Sequence, residues 1–344
     1  MFKTPQAPQR HRAKTGSFVT ARHRKRYFIL VASLIVLSLL TTMGMLTYGI
    51  PVPFGHKGFW LIVESRLSTI VVMMLVATCH AMATVSFQTA TANRIVTPSI
   101  LGFESLYVAI QTALVFFFGI AGAAIGRGLV PFILQMVLMV GLASLLYGWL
   151  LSGRFSNVHI MLLVGVVIGG GLSSLSAFMQ RMLDPNEFDV LSARTFGNLA
   201  NANTDFLPVV IPLVIVVAFL LLRRANRLNV LSLGKPVAEN LGLVHRHEVM
   251  KTLLLVSILM AVTTSLVGPM TFLGFLIAAM AYSFTDTYDH KRIFPVAILL
   301  GYVVLTGAYF VLRNIFYAQG AVTVIIEMIG GLVFLVVIMR KGRL

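Results

Sequence analysis

Charge is what this chain has least of. Only 11% of its 344 residues are Asp, Glu, Lys or Arg, while 58% are apolar. A water-soluble domain carries about 25% charged residues. The shortage excludes a soluble globular protein and demands lipid as solvent. Cysteine is almost missing as well. The single Cys79 rules out an internal disulfide framework and, inside an apolar run, reads as a small buried hydrophobe. No G-x-x-x-x-G-K-S/T occurs, so the chain lacks that device for cradling ATP phosphates. His247-Glu248 opens like H-E-x-x-H, but Lys251 stands where the second His belongs. His245 and His247 flank Arg246 in a basic loop and read as solvated, so no metal site is expected. His80 lies within an apolar run and reads as a packed, hydrogen-bonded helix histidine. No Ser/His/Asp set can be assembled, which argues against an intramembrane hydrolase. The first apolar run is too long for a signal-peptide core and lacks a small-residue cleavage site, so no cleaved leader is expected.

What the chain does have is long apolar runs. A membrane-crossing helix needs about 20 apolar residues. Ten segments qualify, at 27–49, 66–88, 103–120, 130–151, 158–180, 207–222, 250–267, 271–284, 293–312 and 322–339. The eighth is short and follows Gly268-Pro269, which suggests a partial or broken helix. The stretch 181–206 holds Asp184, Glu187, Asp189, Asn198, Asn201, Asn203 and Asp205 and is too polar to span. It reads as a periplasmic loop with a short surface helix near 187–196. The expected fold is an all-α membrane protein with about ten transmembrane helices.

Lys and Arg set the orientation. With the N-terminus in the cytoplasm, 21 of the 27 Lys and Arg fall on the inner side. Lys57, Arg66, Arg127, Arg181, Arg194 and Arg313 fall on the outer side. Both termini are then cytoplasmic, and the net charge of +16 is explained without nucleic acid. The basic tail 1–26 has only Phe2 and Phe18 among its charges and reads as a segment lying on anionic headgroups. Residues 27–344 form the transmembrane domain.

A weak internal symmetry is visible. Pro98-Ser-Ile-Leu-Gly102-Phe103 follows the second span, and Pro269-Met-Thr-Phe-Leu-Gly274-Phe275 follows the seventh. The topology puts the first inside and the second outside, as an inverted repeat requires. The cytoplasmic loop 223–249 is the most informative polar stretch. Ser232 can cap a short helix, Pro236 suits its first turn and Gly242 its end. Val237, Ala238 and Leu241 share one apolar edge, to be buried against the bundle or against a cytoplasmic partner.

Here the residues meet a known family. Leu231-Ser-Leu-Gly-Lys-Pro-Val-Ala-Glu-Asn-Leu-Gly242 resembles the coupling loop of the iron-chelate and vitamin B12 importer permeases. Arg66-Leu67, Gln88 and Asn93-Arg-Ile-Val-Thr-Pro98-Ser-Ile-Leu-Gly102 resemble a second block of that family. Gly268-Pro269-Met-Thr-Phe-Leu-Gly274 and Ile329-Gly330-Gly331 with Phe334 resemble two more. The family's second Arg in its Arg-Leu-Pro-Arg motif is Thr69 here, and its Asn-Pro-Leu-Ala is Asn93-Arg94-Ile95-Val96. Phe103-Glu104-Ser105-Leu106-Tyr107 replaces small residues, a variant similar to the catecholate-siderophore branch.

The resemblance implies a permease subunit of an ATP-binding-cassette importer in the bacterial inner (plasma) membrane. Its partners would be a second permease, identical or related, two ATPase subunits and a periplasmic binding protein. The cargo implied is a ferric siderophore, with vitamin B12 or haem as alternatives. The resemblance implies no cofactor bound directly by this chain, with ATP on the partner subunit. Ser232, Leu233, Gly234, Lys235, Ala238, Glu239, Leu241 and Gly242 would carry ATPase coupling. Pro98, Gly102, Gly268, Pro269 and Gly274 are the structural motif residues. Arg66 and Arg313 sit at outer span ends, to dock acidic groups of the binding protein or to anchor in headgroups. Asn93, Ile95, Ser156 and Asn157 flank inner span ends and are gate candidates, with helix capping as the other reading. Gln88 lines the path or bonds a neighbouring helix. Glu327, in the last span, must face protein, water or the outer headgroups. Glu104 suits the N-terminal dipole of the third span. A proton-driven secondary transporter is the reading from another class, and only His80 and Glu327 would serve it.

Overall fold

The structure is a computed structural model that describes residues 16–18, 20–50, 55–125, 128–152, 158–195, 199, 202–316 and 322–341. Thirteen α-helices and no strand occur among the described residues. In order they are α1 (Ala21–Thr47), α2 (Lys57–Ala90), α3 (Phe103–Ile125), α4 (Leu129–Ser152), α5 (Val158–Gln180) and α6 (Pro185–Thr195). Then follow α7 (Leu207–Arg223), α8 (Ala225–Leu231), α9 (Lys235–Asn240), α10 (His245–Val267), α11 (Leu273–Phe284), α12 (His290–Asn314) and α13 (Val322–Lys341). Eight helical segments are long and apolar enough to cross a membrane, and α11 and α13 supply two shorter apolar ones. These are the ten segments expected. Short helix α6 fills part of the polar loop, its Leu191 packed on Val115 of α3.

The central pair is α2 and α10, which pack on each other and are the two most buried helices. Around them the bundle repeats itself. Helix α12 packs on α2, and α4 packs on α10. Helix α5 packs on α3, and α13 packs on α11. So α2 to α5 and α10 to α13 are two equivalent sets, and each set's third helix covers the other's first. The interleaving places the symmetry of the two Pro…Gly-Phe motifs in three dimensions.

Two elements differ from expectation. Helix α2 begins at Lys57, nine residues early, with His56 Nδ1 accepting the Gly58 N–H at 3.2 Å. Its 34 residues span about 51 Å, more than a hydrocarbon core of about 30 Å. The apolar run Phe59–Val63 extends the helix ahead of the expected start at residue 66. Helix α8 was read as loop. Its Ala225, Leu228 and Leu231 are buried at a spacing of three, which holds this seven-residue turn on the bundle.

The two motif turns are built on glycine. Gly102 adopts φ 95°, and a Cβ there would stand 3.0 Å from the Cα of Gly169 in α5. Turn and helix thus touch backbone to backbone. In the second set, a Cβ on Gly330 of α13 would stand 2.8 Å from Phe272 Cβ, and one on Gly274 would overlap Thr84 of α2.

Candidate functional site

Four places in the bundle hold the expected site residues. The first is the end that carries most of the Lys and Arg. There α9 is a single exposed turn and a half, packed on α8 and α10. Its N-cap is Gly234, at φ 90° and ψ 164°, and Pro236 sits in its first turn. The Leu243 N–H donates to Ala238 O at 3.0 Å and closes its end at Gly242. Ser232 does not cap α9. Its hydroxyl donates to Asn229 O at 2.7 Å and finishes α8 instead. The expected apolar edge also divides. Ala238 is fully buried, but Val237 and Leu241 point to solvent, as do Leu233 and Val244. Leu241 is 60% exposed. The exposed Lys235 and Glu239 lie on the same turn.

Helix α8 is held on both flanks. Glu248 of α10 takes Arg224 at 2.6 Å and Arg227 at 3.0 Å. On the other flank Asn229 Nδ2 donates to Asp289 Oδ1 at 3.0 Å. Asn229 Oδ1 accepts the His290 backbone N–H at 2.9 Å and faces His290 Nδ1 at 2.6 Å. His290 Nε2 lies 2.7 Å from Thr89 Oγ1 of α2. Asp289 also accepts Ser17 Oγ at 2.7 Å, so the N-terminal segment joins the same node. Below this lies a polar cavity of about 1070 Å³ bordered by Arg94, Asn229, Ser232 and Asp289.

The second place is the turn after α2. Gln88 is buried and donates from Nε2 to Arg94 O at 2.7 Å. It closes its own turn and does not bond a neighbouring helix. Asn93 Oδ1 accepts the Ile95 N–H at 2.9 Å. Ala92 holds φ 49°, a region that L-residues with a side chain rarely occupy. Arg94 stacks over the Tyr282 ring at 4.8 Å. Asn93 and Ile95 are half-buried here, at the inner end of α2. Ser156 and Asn157 lie outside the described residues.

The third place is the middle of the bundle. Glu104 of α3 is buried, and its carboxylate accepts the Met270 N–H at 3.1 Å and Thr271 Oγ1 at 2.5 Å. The sequence reading assigned it to the helix dipole. The structure gives it a second task, because Met270 and Thr271 belong to the turn Gly268–Phe272 of the other repeat. The two motif turns therefore meet inside the bundle and do not sit on opposite surfaces. Glu327 of α13 is exposed. His80 is packed as expected, yet its Nδ1 has no hydrogen-bond partner.

At the end opposite α9, Arg66 is only 7% exposed. Its guanidinium donates to Met45 O at 2.8 Å, Tyr48 O at 2.7 Å and Gly49 O at 3.3 Å. These are carbonyls that the end of α1 leaves without helical partners. Arg66 thus closes α1 and does not present its cation outward. Arg313 is exposed and makes only a long contact, 3.4 Å, to Tyr309 Oη among the described bonds. Among the described residues no group of three His, Cys, Asp or Glu could hold a metal ion.

Asn229, His290 and Thr89 were missed by the sequence reading. Nothing in their local spacing pairs them, since 201 residues separate Thr89 from His290. The Arg224–Glu248 pair was within reach, since both flank one loop and carry opposite charge.

Comparison with known proteins agrees over nearly the whole chain. The model of the FecCD transport family matches residues 27–340. The petrobactin import system permease protein FatC of Bacillus anthracis is 48% identical over 96% of this chain and 93% of its own length. The petrobactin import system permease protein YclO of Bacillus subtilis is 36% identical, over 84% of this chain and 92% of its own length. FatD, a second petrobactin permease of Bacillus anthracis, is 22% identical over 91% of each. An inward-facing metal-chelate type ABC transporter of known structure covers 91% of this chain and 99% of its own, with TM-score 0.77 and 22% identity.

Proposed function

The chain belongs to the FecCD transport family, and from that membership we propose that it carries a ferric siderophore of the petrobactin type through the plasma membrane. It is a transport permease with no catalytic set of its own. ATP is hydrolysed on a separate subunit that docks on α9. One observation carries the docking: Leu233, Val237 and Leu241 are exposed around a turn bounded by Gly234 and Gly242, outside the bundle. Exposed apolar side chains of that size on a basic, polar surface mark an interaction site. Lys235 and Glu239 would set its register.

The partner permease is a related chain, not a second copy. The support is that FatC and FatD are both named as permeases of one petrobactin system in one organism, and this chain is far more similar to FatC. The two permeases would enclose the path, with α5 and α13 facing it. Among large apolar side chains, their exposed faces also hold Gly170, Gly171, Ser173 and Glu327, the small or polar positions that could line such a path. An extracytoplasmic binding protein would deliver the cargo at the end where Arg313 is exposed. Uptake of radiolabelled iron by a deletion strain, offered with a panel of siderophores, tests the cargo. Restored uptake with petrobactin alone is expected; restoration by an unrelated chelate alone refutes the assignment.

A further inference from the structure

Helix α9 packs on α8 and α10, while α8 packs on α2, α7, α10 and α12. A movement of α9 therefore reaches α2 by two ways, through α10 and through α8. The polar chain from α8 to α2 is continuous: Asn229, then His290, then Thr89. We infer that Asn229, His290 and Thr89 are positioning residues that transmit the movement of α9 to the inner end of α2. The inference rests on the reading that an ATPase docks on α9.

The hydrogen-bond pattern is directional. Asn229 Nδ2 gives its proton to the Asp289 carboxylate, which fixes the amide and leaves Oδ1 as acceptor. The His290 Nδ1 then donates to it, and Nε2 stands 2.7 Å from Thr89 Oγ1, which also lies 2.9 Å from Val85 O one turn earlier in α2. Thr89 and His290 are buried and Asn229 is half-buried. When α8 shifts, it either carries Thr89 along or breaks a buried hydrogen bond. Leaving a buried polar group unpaired is costly enough to favour the first.

The lever geometry fits the same role. Arg224 and Arg227 fasten the start of α8 to Glu248 of α10. Asn229 lies two residues beyond Arg227, about 3 Å further along the helix toward α9. A pivot at the ionic clamp moves the half of α8 that carries Asn229. What lies beyond Thr89 is the strained turn at Ala92, the gate candidates Asn93 and Ile95, and then Gly102 against Gly169 of α5. A displacement of Thr89 thus reaches a helix that faces the proposed path.

The experiment is reconstitution of the whole complex, with its ATPase and binding protein, in proteoliposomes. Cargo moved and ATP hydrolysed are measured together for Thr89→Val, Thr89→Ser and Asn229→Ala. Thr89→Val keeps the shape and removes the hydroxyl; Thr89→Ser keeps the hydroxyl. The relay predicts that Thr89→Val and Asn229→Ala lower cargo moved per ATP about fivefold or more, the size expected of a disrupted coupling network. It predicts unchanged ATPase copurification and basal hydrolysis, and near-normal coupling in Thr89→Ser. Should Thr89→Val fail to assemble, the less buried Asn229→Ala carries the test alone. Unchanged cargo per ATP in the assembled variants overturns the relay, as does a proportional fall in transport and hydrolysis. Absence of ATPase from the unaltered complex instead overturns the docking reading beneath it.

Discussion

The carboxylate of Glu104 accepts the backbone N–H of Met270 at 3.1 Å, across 166 residues of chain. The same carboxylate takes the Thr271 hydroxyl, so one side chain fastens the first repeat's turn to the second's. A hydrogen bond contributes about 0.5–1.5 kcal/mol, and a buried partner left unpaired costs about 1–3 kcal/mol.

Glu104→Ala should therefore destabilise the folded permease by about 2 kcal/mol or more, because it strands the Met270 N–H in the bundle. Glu104→Gln should cost less. Its amide oxygen can take Met270, and its NH₂ can donate to Thr271 once that hydroxyl turns. Glu327→Ala should leave stability unchanged and lower uptake. Thermal unfolding in detergent, read beside iron uptake, checks both. Equal melting of the two Glu104 variants would count against the tie.

The coupling face is best tested where it is exposed. Ala238→Arg would force a charge into a buried site, and Gly234→Glu would place a side chain at φ 90°, so either would damage α9 itself. Leu241→Asp touches only the outer surface. It should weaken ATPase association about thirtyfold, since burying a leucine contributes roughly 2 kcal/mol. Copurification of the ATPase from membranes is the measurement. Undiminished recovery would remove α9 as the docking site.

The two outer arginines should part company. Arg66→Ala should lower the stability of the permease by about 3 kcal/mol, through lost charge-assisted bonds to the end of α1. Arg313→Glu should leave stability alone and weaken capture of the binding protein. A pull-down with the binding protein, beside a melting curve for each variant, separates the roles. The reverse pattern would contradict the assignment.

Acid should release the N-terminal segment. Burial raises the Asp289 pKa, but hydrogen bonds from Asn229, Ser17 and the Lys291 N–H, with the Lys291 charge, outweigh it. The net value lies below the usual aspartate range. A carboxyl depressed on folding stabilises above its unfolded value, about 3.9, and the contribution fades as pH falls through the folded value. Pepsin cleavage near Phe18 should accelerate below about pH 4, and Asp289→Asn should remove that pH dependence. Cleavage that ignores pH in the unaltered protein would sink this account.

Much of the bundle was legible because lipid imposes a simple rule on composition. Ten long apolar runs had to be helices, and the Lys and Arg between them had to favour one side. The coupling turn was legible because glycine and proline bracket it. The roles of Ser232 and Gln88 were not. Each polar side chain had several backbone groups within reach, and only the folded turn selects among them. Arg66 misled for the same reason: an arginine near a span end looks like a surface cation until a neighbouring helix offers its open carbonyls.

By itself the sequence determined the class of solvent, the helices, the two Gly-based turns and the family. Those follow from local chemistry, in which each residue is judged against lipid, water or its near neighbours. The tertiary structure alone decided that the turns meet at Glu104, that Arg66 faces inward, and that Asn229, His290 and Thr89 stand in line. Each of these joins residues far apart in the chain. Hydrogen bonds across such distances depend on how helices cross, and crossing is set by the packing of the whole bundle.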